Sequence, residues 1–374
     1  MIRVLEVVTK KQQREFLTFP LKLYRDNPHF VPPLWAEEKR IFDPDYTYYQ
    51  SCEAVYYNAY RDGRMTGRIS GILQKTSNEL RGEKRVRFTR FDSLDDQETA
   101  DALFAAVEQW ARGKGMDTVC GPLGFSNLER EGLLVEGFEE LSTFEEQYNA
   151  PYYARLIERC GYEKEIDWVE RQIRLPEDRG EKLERFAELV GKRYHLRPCE
   201  AASTKELIDR YGDGFFRVLS DNYAHLYQTV PFDAATRQML LRSFRLLMNV
   251  KFGGVVVNEN DEAVGIGVCF PSVAEALQKS GGRLTPGALI RIARSIRRPR
   301  ILELGLIGVD PAYRKQGAAA VILASLAKIL RENPSIEFAE TNLNMETNRD
   351  VQSLWDNRFN ARLHKRRRSY VKKI

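Results

Sequence analysis

ILELGLIGVDPAYRKQGAAAVILASLAKIL, Ile301 to Leu330, is the stretch from which the rest of the chain can be placed. Ile301–Val309 is apolar and branched, and short enough for a buried strand. Asp310 and Pro311 stop it. From Ala318 onward, Ala-Ala-Ala-Val-Ile-Leu-Ala-Ser-Leu-Ala predicts a helix with a broad apolar face, ended by Asn333-Pro334. Tyr313-Arg-Lys-Gln-Gly-Ala-Ala319 lies between strand and helix.

That joint suits an anion. The first N–H groups of a helix have no partner within it, and its dipole makes that end positive. Gly317 and the alanines keep side chains out of the way, so a pyrophosphate can approach the backbone, and Arg314 and Lys315 add charge. Spacing alone leaves a plainer alternative open: many strand-turn-helix joints contain a glycine and a basic residue.

The chain has 374 residues, enough for two domains with substantial cores. Charged residues of both signs are plentiful and the net charge is a mild +5, the pattern of a folded globular protein. Cys52, Cys120, Cys160, Cys199 and Cys269 lie far apart without a C-x-x-C, which fits core thiols in a reduced cytoplasmic setting. His29, His195, His225 and His364 have no metal-ligand spacing, so no metal is expected and each histidine reads as structural or superficial. The N-terminal MIRVLEVVTKKQQ is not a signal peptide, and no apolar run reaches transmembrane length.

In chain order, Ile2–Val8 reads as a strand, Gln12–Tyr24 as a helix and His29–Trp35 as a proline-rich loop. Ala54–Tyr60 and Met65–Leu73 flank an Asp62-Gly63 turn, a hairpin signal. A strand at Val86–Phe91 follows, then a helix through Trp110 with Asp95 and Glu98 as a capping box, and a strand at Thr118–Cys120. Gly121–Ala150 is irregular. A helix at Tyr153–Arg159 and a strand around Trp168–Leu175 close the half. Glu181–Lys192 reads as a connecting helix, giving domains at 1–176 and 194–374 with a linker at 177–193.

The second half repeats the order. A strand at His195–Cys199 and a helix from Lys205 through Tyr227 precede a hairpin of Val255–Val257 and Ala263–Phe270. Gly67 and Gly265 take corresponding places 198 residues apart; Cys160-Gly161-Tyr162 and Phe359-Asn360-Ala361 do so 199 apart. Two landmarks with nearly one offset indicate an internal duplication. The joint of the first half, Phe91-Asp-Ser-Leu-Asp-Asp-Gln-Glu98, is acidic and lacks the glycine, and carboxylates there would repel a pyrophosphate. One coenzyme site is therefore expected, in the C-terminal half, with Gly121–Ala150 available to shape an acceptor pocket.

Val309-x-Pro311-x-Tyr313-Arg314-x-x-Gly317-x-Ala319 resembles motif A of the GNAT (GCN5-related N-acetyltransferase) acyltransferases. The resemblance implies that Arg314, Lys315, Gln316, Gly317, Ala318 and Ala319 cradle the pyrophosphate of acetyl-coenzyme A or a longer acyl-coenzyme A. Asn348-x-x-Val351-x-x-Leu354-Trp355 resembles motif B, which implies that Asn348 meets the pantetheine arm. Trp355 stands where the family often has a thiolate-protonating tyrosine; an indole N–H only donates, and plain helix packing is the other reading. Asn360 stands in for the usual glycine after that helix, in a left-handed cap. Asn27–Pro33, Asp62–Arg68, Gly121-Pro122, Gly132–Phe138 and Tyr148–Tyr153 resemble a group of tandem-GNAT bacterial proteins similar to bacterial ceramide synthases. The implied fold is α/β, two tandem GNAT-like domains built on mixed, mostly antiparallel sheets, the first degenerate.

Acyl transfer from a thioester to an amine needs a neutral amine, a stabilised oxyanion and a fate for the thiolate. Backbone amides around Ile307, Gly308 and Val309 could hold the thioester oxygen if the strand splays there. Glu303 is the first candidate base, placed with 305, 307 and 309 on one strand face. Its plain alternative is a salt bridge to Arg291 or Arg294. Glu340 is the second candidate base. Gly287–Arg298 reads as a basic amphipathic helix, able to lie on the anionic inner face of a membrane or simply to be a solvated face. No nucleic-acid motif accompanies the charge. The reading is an acyl-coenzyme A-dependent N-acyltransferase acting on an amine, a lipid amine included. Its rivals are a small-amine acetyltransferase and a non-catalytic acyl-coenzyme A binder or scaffold.

Overall fold

The computed structural model describes residues 1–143 and 145–374, the side chains of residues 243–247 aside; residue 144 of the expected Gly121–Ala150 segment thus lies outside the described residues. The chain forms two compact units. The first comprises Met1–Val169, Ala274–Leu289 and Lys365–Ile374; the second comprises Glu170–Val273 and Ile290–His364. The strands are β1 (Ile2–Glu6), β2 (Cys52–Arg61), β3 (Arg64–Gln74), β4 (Arg85–Ser93), β5 (Thr118–Gly121), β6 (Leu133–Glu136), β7 (Glu163–Arg174), β8 (Arg197–Pro198), β9 (Gly254–Val257), β10 (Ala263–Pro271), β11 (Ile301–Val309), β12 (Phe338–Thr341), β13 (Asn344–Met345) and β14 (Asn360–Lys373). The helices are α1 (Lys10–Leu23), α2 (Trp35–Glu38), α3 (Lys75–Arg81), α4 (Gln97–Gly113), α5 (Tyr153–Arg159), α6 (Glu181–Tyr194), α7 (Thr204–Tyr223), α8 (Ala234–Leu247), α9 (Ala274–Gln278), α10 (Pro286–Arg297), α11 (Ala318–Glu332) and α12 (Arg349–Arg358).

In the first unit β1 to β5 are neighbours in order. All pairs are antiparallel except β4–β5, which run parallel from Arg85↔Thr118 to Arg87↔Cys120. Phe88, Phe91, Leu103, Phe104 and Val107 pack the sheet against α4. In the second unit β12, β11, β10, β9 and β8 lie in that order. Here β11–β12 is the parallel pair, from Ile301↔Phe338 to Leu304↔Thr341. Leu302, Ala339, Val256 and Val264 face α11 and α6 across one apolar core with Leu323, Ala327 and Val190.

The two units share internal landmarks, as a duplication requires. Gly67 pairs with the end of β4 (Ser93) and Gly265 with the end of β11 (Val309). Each makes room for the long helix behind it: a Cβ on Gly67 would meet Leu103 and Thr99, and one on Gly265 would meet Ile322. Just past each parallel pair, one more hydrogen bond forms, Leu123 N to Phe88 O at 2.9 Å and Asn342 N to Leu304 O at 3.1 Å. Each middle strand then carries a bulge, between the partners Arg68 and Ser70 in the first unit and Val268 and Cys269 in the second.

Some expectations shift. The β11 bulge leaves Gly305 without a partner residue, so 303, 305, 307 and 309 do not share a face. Glu303 and Gly305 lie on the side of Phe270, whose ring a Cβ on Gly305 would meet at 2.5 Å. Ile307 and Val309 turn to the α11 core. The cap of α4 is Asp96 rather than Asp95, because it is Asp96 whose side chain accepts from Thr99 N. Helix α12 ends on Phe359 in extended conformation and Asn360 opens β14, so no left-handed cap is made there. The strand expected at 195–199 is the two-residue β8, and the helix expected to reach Tyr227 stops at Tyr223.

Candidate acyl-donor site

Beyond Leu304 and Thr341 the second sheet forks. β11 runs on to Val309 against β10, and the chain after Asn342 leaves it. Among the described residues, the far edge of β11 therefore has no strand beside it from 305 to 309. Amides alternate in direction along a strand. Val309 N–H points off the ladder to Asn222 Oδ1 at 3.4 Å, and Ile307 N–H is hydrogen-bonded to the Tyr223 phenol. Gly308 N–H between them therefore turns toward β10. Of the three amides expected to meet a thioester, those of Ile307 and Val309 face the fork. Burial pushes the Tyr223 phenol up to about 12, against the pull of the Ile307 hydrogen bond.

The strand leads straight into the turn. Asp310 caps a short 3-10 turn, Pro311–Gln316, by accepting from Ala312 N at 3.0 Å, and is held by Arg217 of α7. Gly317 then takes a left-handed φ of 81° and opens α11. A Cβ there would meet Val190 Cγ2 of α6 at 3.1 Å, so both conformation and packing call for glycine. No side chain caps α11 and no acid lies in its first turn. The amides of Ala318 and Ala319 thus open the helix without a resident carboxylate, beside the exposed Arg314 and Lys315 and the half-buried Gln316. Arg314 Nη2 donates to Asn222 Oδ1 at 3.2 Å.

The corresponding places of the first unit are filled. Asp96 caps α4, Glu98 lies in its first turn, and Arg61 pairs with both at 2.9 and 2.7 Å. At the β4 bulge, Arg90 takes a φ of 50° and turns inward to Glu38 at 2.9 Å, both buried. Burial alone would raise the Glu38 carboxyl, but Arg90 and Arg130 hold it down to about 2.

Glu303 and Glu340 are opposite each other on the last rungs before the fork, and both are buried. Glu303 forms no ion pair with Arg291 or Arg294; Arg294 is exposed, and the Nε of Arg291 has no hydrogen-bond partner. His364 Nε2 lies 3.1 Å from Glu340 Oε1, with its side chain buried. Glu170 joins them, the three offering ligand atoms within 4.8 Å of one another. Two carboxylates and an imidazole are donor types that a divalent cation takes. We assign no metal here, because each of the three is already engaged within the protein. Sequence spacing hid this cluster: positions 170, 340 and 364 come from three strands, and only the register brings them together.

Asn348 caps α12, its Oδ1 accepting from Val351 N at 3.4 Å, so its Nδ2 is the part that could meet a ligand. Trp355 is buried in the α11 core beside Phe359 and donates its indole N–H to Asn344 at 3.0 Å.

No family model matches the chain. It is 25% identical to protein YghO of Escherichia coli strain K12, over 98% of this chain and 94% of that protein. It is 26% identical to a bacterial ceramide synthase of Caulobacter vibrioides, over 76% of this chain and 74% of the other. Among solved structures it is similar to a tandem GNAT protein from the clavulanic acid biosynthesis pathway. That match has a TM-score of 0.58 and 13% identity, covering 100% of this chain and 98% of that one.

Proposed function

The chain has the tandem GNAT fold, and we propose that it is an N-acyltransferase that moves an acyl group from acyl-coenzyme A to an amine, with its donor site in the second unit. The observation that carries this is the continuity of an open strand edge with an uncapped, acid-free helix start at Gly317. Arg314 and Lys315 would supply charge to the pyrophosphate and the first amides of α11 its hydrogen bonds. The outward amides of Ile307 and Val309 would receive the arm and the thioester oxygen. Asn348 Nδ2 would add a donor.

Glu303 is the proposed proton acceptor for the amine, with Glu340 the alternative. Both lie at the root of the fork, and His364 beside Glu340 gives that carboxylate a proton partner. Trp355 takes no part in the thiolate's fate. A thiol pKa of about 8.5 lets the coenzyme leave without an acid near neutral pH.

A lipid amine is the proposed acceptor class. The curated relative named as a ceramide synthase supports it, and so does α10. Leu289 and Ile290 of that helix are 52% and 72% exposed, next to the exposed Arg294 and Arg297. An apolar strip flanked by arginines suits an anionic phospholipid surface on the cytoplasmic face. Among the described residues no helix is long and apolar enough to cross a membrane.

Calorimetric titration with acetyl-, octanoyl- and palmitoyl-coenzyme A tests the donor. Affinity that rises with chain length supports a long-chain enzyme, and equal affinity favours a small-amine acetyltransferase. Absence of binding refutes the site. Turnover with a long-chain amine separates an enzyme from an acyl-coenzyme A binder. Cosedimentation with vesicles containing anionic phospholipid tests the membrane contact, and Ile290→Glu should abolish it.

A further inference from the structure

Val309 ends β11, and both its backbone groups point off the ladder into the fork. One side chain meets them. Asn222, in the last turn of α7, donates from Nδ2 to Val309 O at 3.0 Å, and its Oδ1 receives Val309 N–H at 3.4 Å. An amide that offers both an acceptor and a donor to one residue presents what a neighbouring strand would present. Gly308 permits the approach: a Cβ there would lie 3.2 Å from Asn222 Nδ2. The same Oδ1 accepts from Arg314 Nη2 at 3.2 Å, and Arg314 Nε points to Val309 O at 3.4 Å. The Asn222 side chain thus closes the strand edge at Val309 and helps hold the turn's arginine against the protein.

We propose that Asn222 sets the affinity of the acyl-donor site by occupying the edge of β11. An extended, amide-bearing ligand pairs with such an edge as an added strand, and to reach Val309 it must displace the Asn222 amide. Displacement breaks the Arg314 bond to Asn222, and a ligand reaching Val309 O competes with Arg314 Nε there, so opening of the edge is coupled to readiness of the anion turn. Asn222 has somewhere to go, because its Nδ2 also bonds Val218 O, one turn earlier in α7, at 2.7 Å. Two residues earlier on the same edge, the Tyr223 phenol accepts from Ile307 N–H. This inference rests on the second unit being the coenzyme A site.

The test is calorimetric titration of the full chain with coenzyme A, comparing wild type with Asn222→Ala, Tyr223→Phe and Gly317→Glu. Removing the occupant should tighten binding, by about fivefold for one hydrogen bond no longer broken and about thirtyfold for two. Asn222→Ser, whose hydroxyl is too short to span both Val309 groups, replaces the alanine variant if that one does not fold. If wild type binds, Gly317→Glu binds more weakly, and the Asn222 variants bind equally to wild type or more weakly than it, the occupant proposal alone is overturned. If wild type and all variants fail to bind coenzyme A, the donor-site reading falls and the proposal with it.

Discussion

Gly317 can be used to separate the shape of the anion turn from its charge. Gly317→Ala forces a left-handed backbone on an L-residue, costing about 1–2 kcal/mol. It also places a methyl 3.1 Å from Val190 Cγ2, so α6 must give way slightly. Gly317→Glu carries the same strain and adds a carboxylate at the mouth of α11. Two unit charges about 4 Å apart interact by about 1 kcal/mol in bulk water and about 4 kcal/mol near a protein surface. Arg314 and Lys315 are exposed, so the turn is wet and the lower part of that range applies. The Glu variant should therefore bind coenzyme A about 1–2 kcal/mol more weakly than the Ala variant, about five- to thirtyfold. Calorimetry at 50 and 500 mM salt reads the gap, and screening should narrow it at the higher salt. Pantetheine, which has no phosphate, should show no gap. Equal affinities of the two variants for coenzyme A, or a gap that persists with pantetheine, would show that no phosphate sits at this turn.

Three further outcomes are expected. Glu303→Gln should lower kcat about 10²- to 10⁴-fold with little change in donor affinity, read by thiol release; the same loss on Glu340→Gln alone would move the base to that residue. Glu38→Gln leaves the buried Arg90 and the partly buried Arg130 against a neutral group and should destabilise the first unit by about 3–5 kcal/mol at pH 7. Because the Glu38 pKa is depressed from 4.5 to about 2, its stabilisation is present above pH 4.5 and lost as pH falls toward 2, so thermal unfolding of wild type and variant should converge in acid. Burial pushes Glu131 the other way, up to about 8 against the pull of Arg87, so its contribution is whole below pH 4.5 and lost as pH rises through 8. Glu131→Gln should gain melting temperature over wild type between pH 5 and pH 8, and a gap constant with pH would contradict the assignment.

The parts of the fold legible in the sequence were those set by local chemistry. Ile301–Val309 and the start of α11 at Ala318 follow from an unbroken apolar run and a Gly317 that only a left-handed φ explains. Tyr153–Arg159 was likewise bounded by its neighbours. What resisted reading depends on partners distant in sequence. The face of Glu303 is not legible in the sequence because a bulge is a property of two strands: Gly305 is extra only relative to Val268 and Cys269. His364 reads from the sequence only as structural or superficial, because its neighbours, Glu340 and Glu170, arrive through strand register. Asn222 carried no signal, being one polar residue near a helix end, and its meaning appears only where Val309 lies beside it.

The duplication explains why a single open edge is enough. Both units build the same fork from a parallel pair, one further hydrogen bond and a bulge. The fork is therefore the scaffold's own geometry and specifies no ligand by itself. Chemistry is decided by what stands at the bulge and at the helix start. In the first unit, Arg90 at the bulge is neutralised by Glu38 and the helix start by Asp96, so both charges that could attract a ligand are satisfied internally. In the second unit the bulge holds Gly305 and the helix start holds Gly317, neither with a side chain to spend on the protein itself. On the proposed reading, filling that edge at Val309 displaces the neutral amide of Asn222 and breaks no buried ion pair. Opening the first unit's edge would break the buried Arg90–Glu38 pair, a cost of about 3–5 kcal/mol that the second unit's edge does not carry.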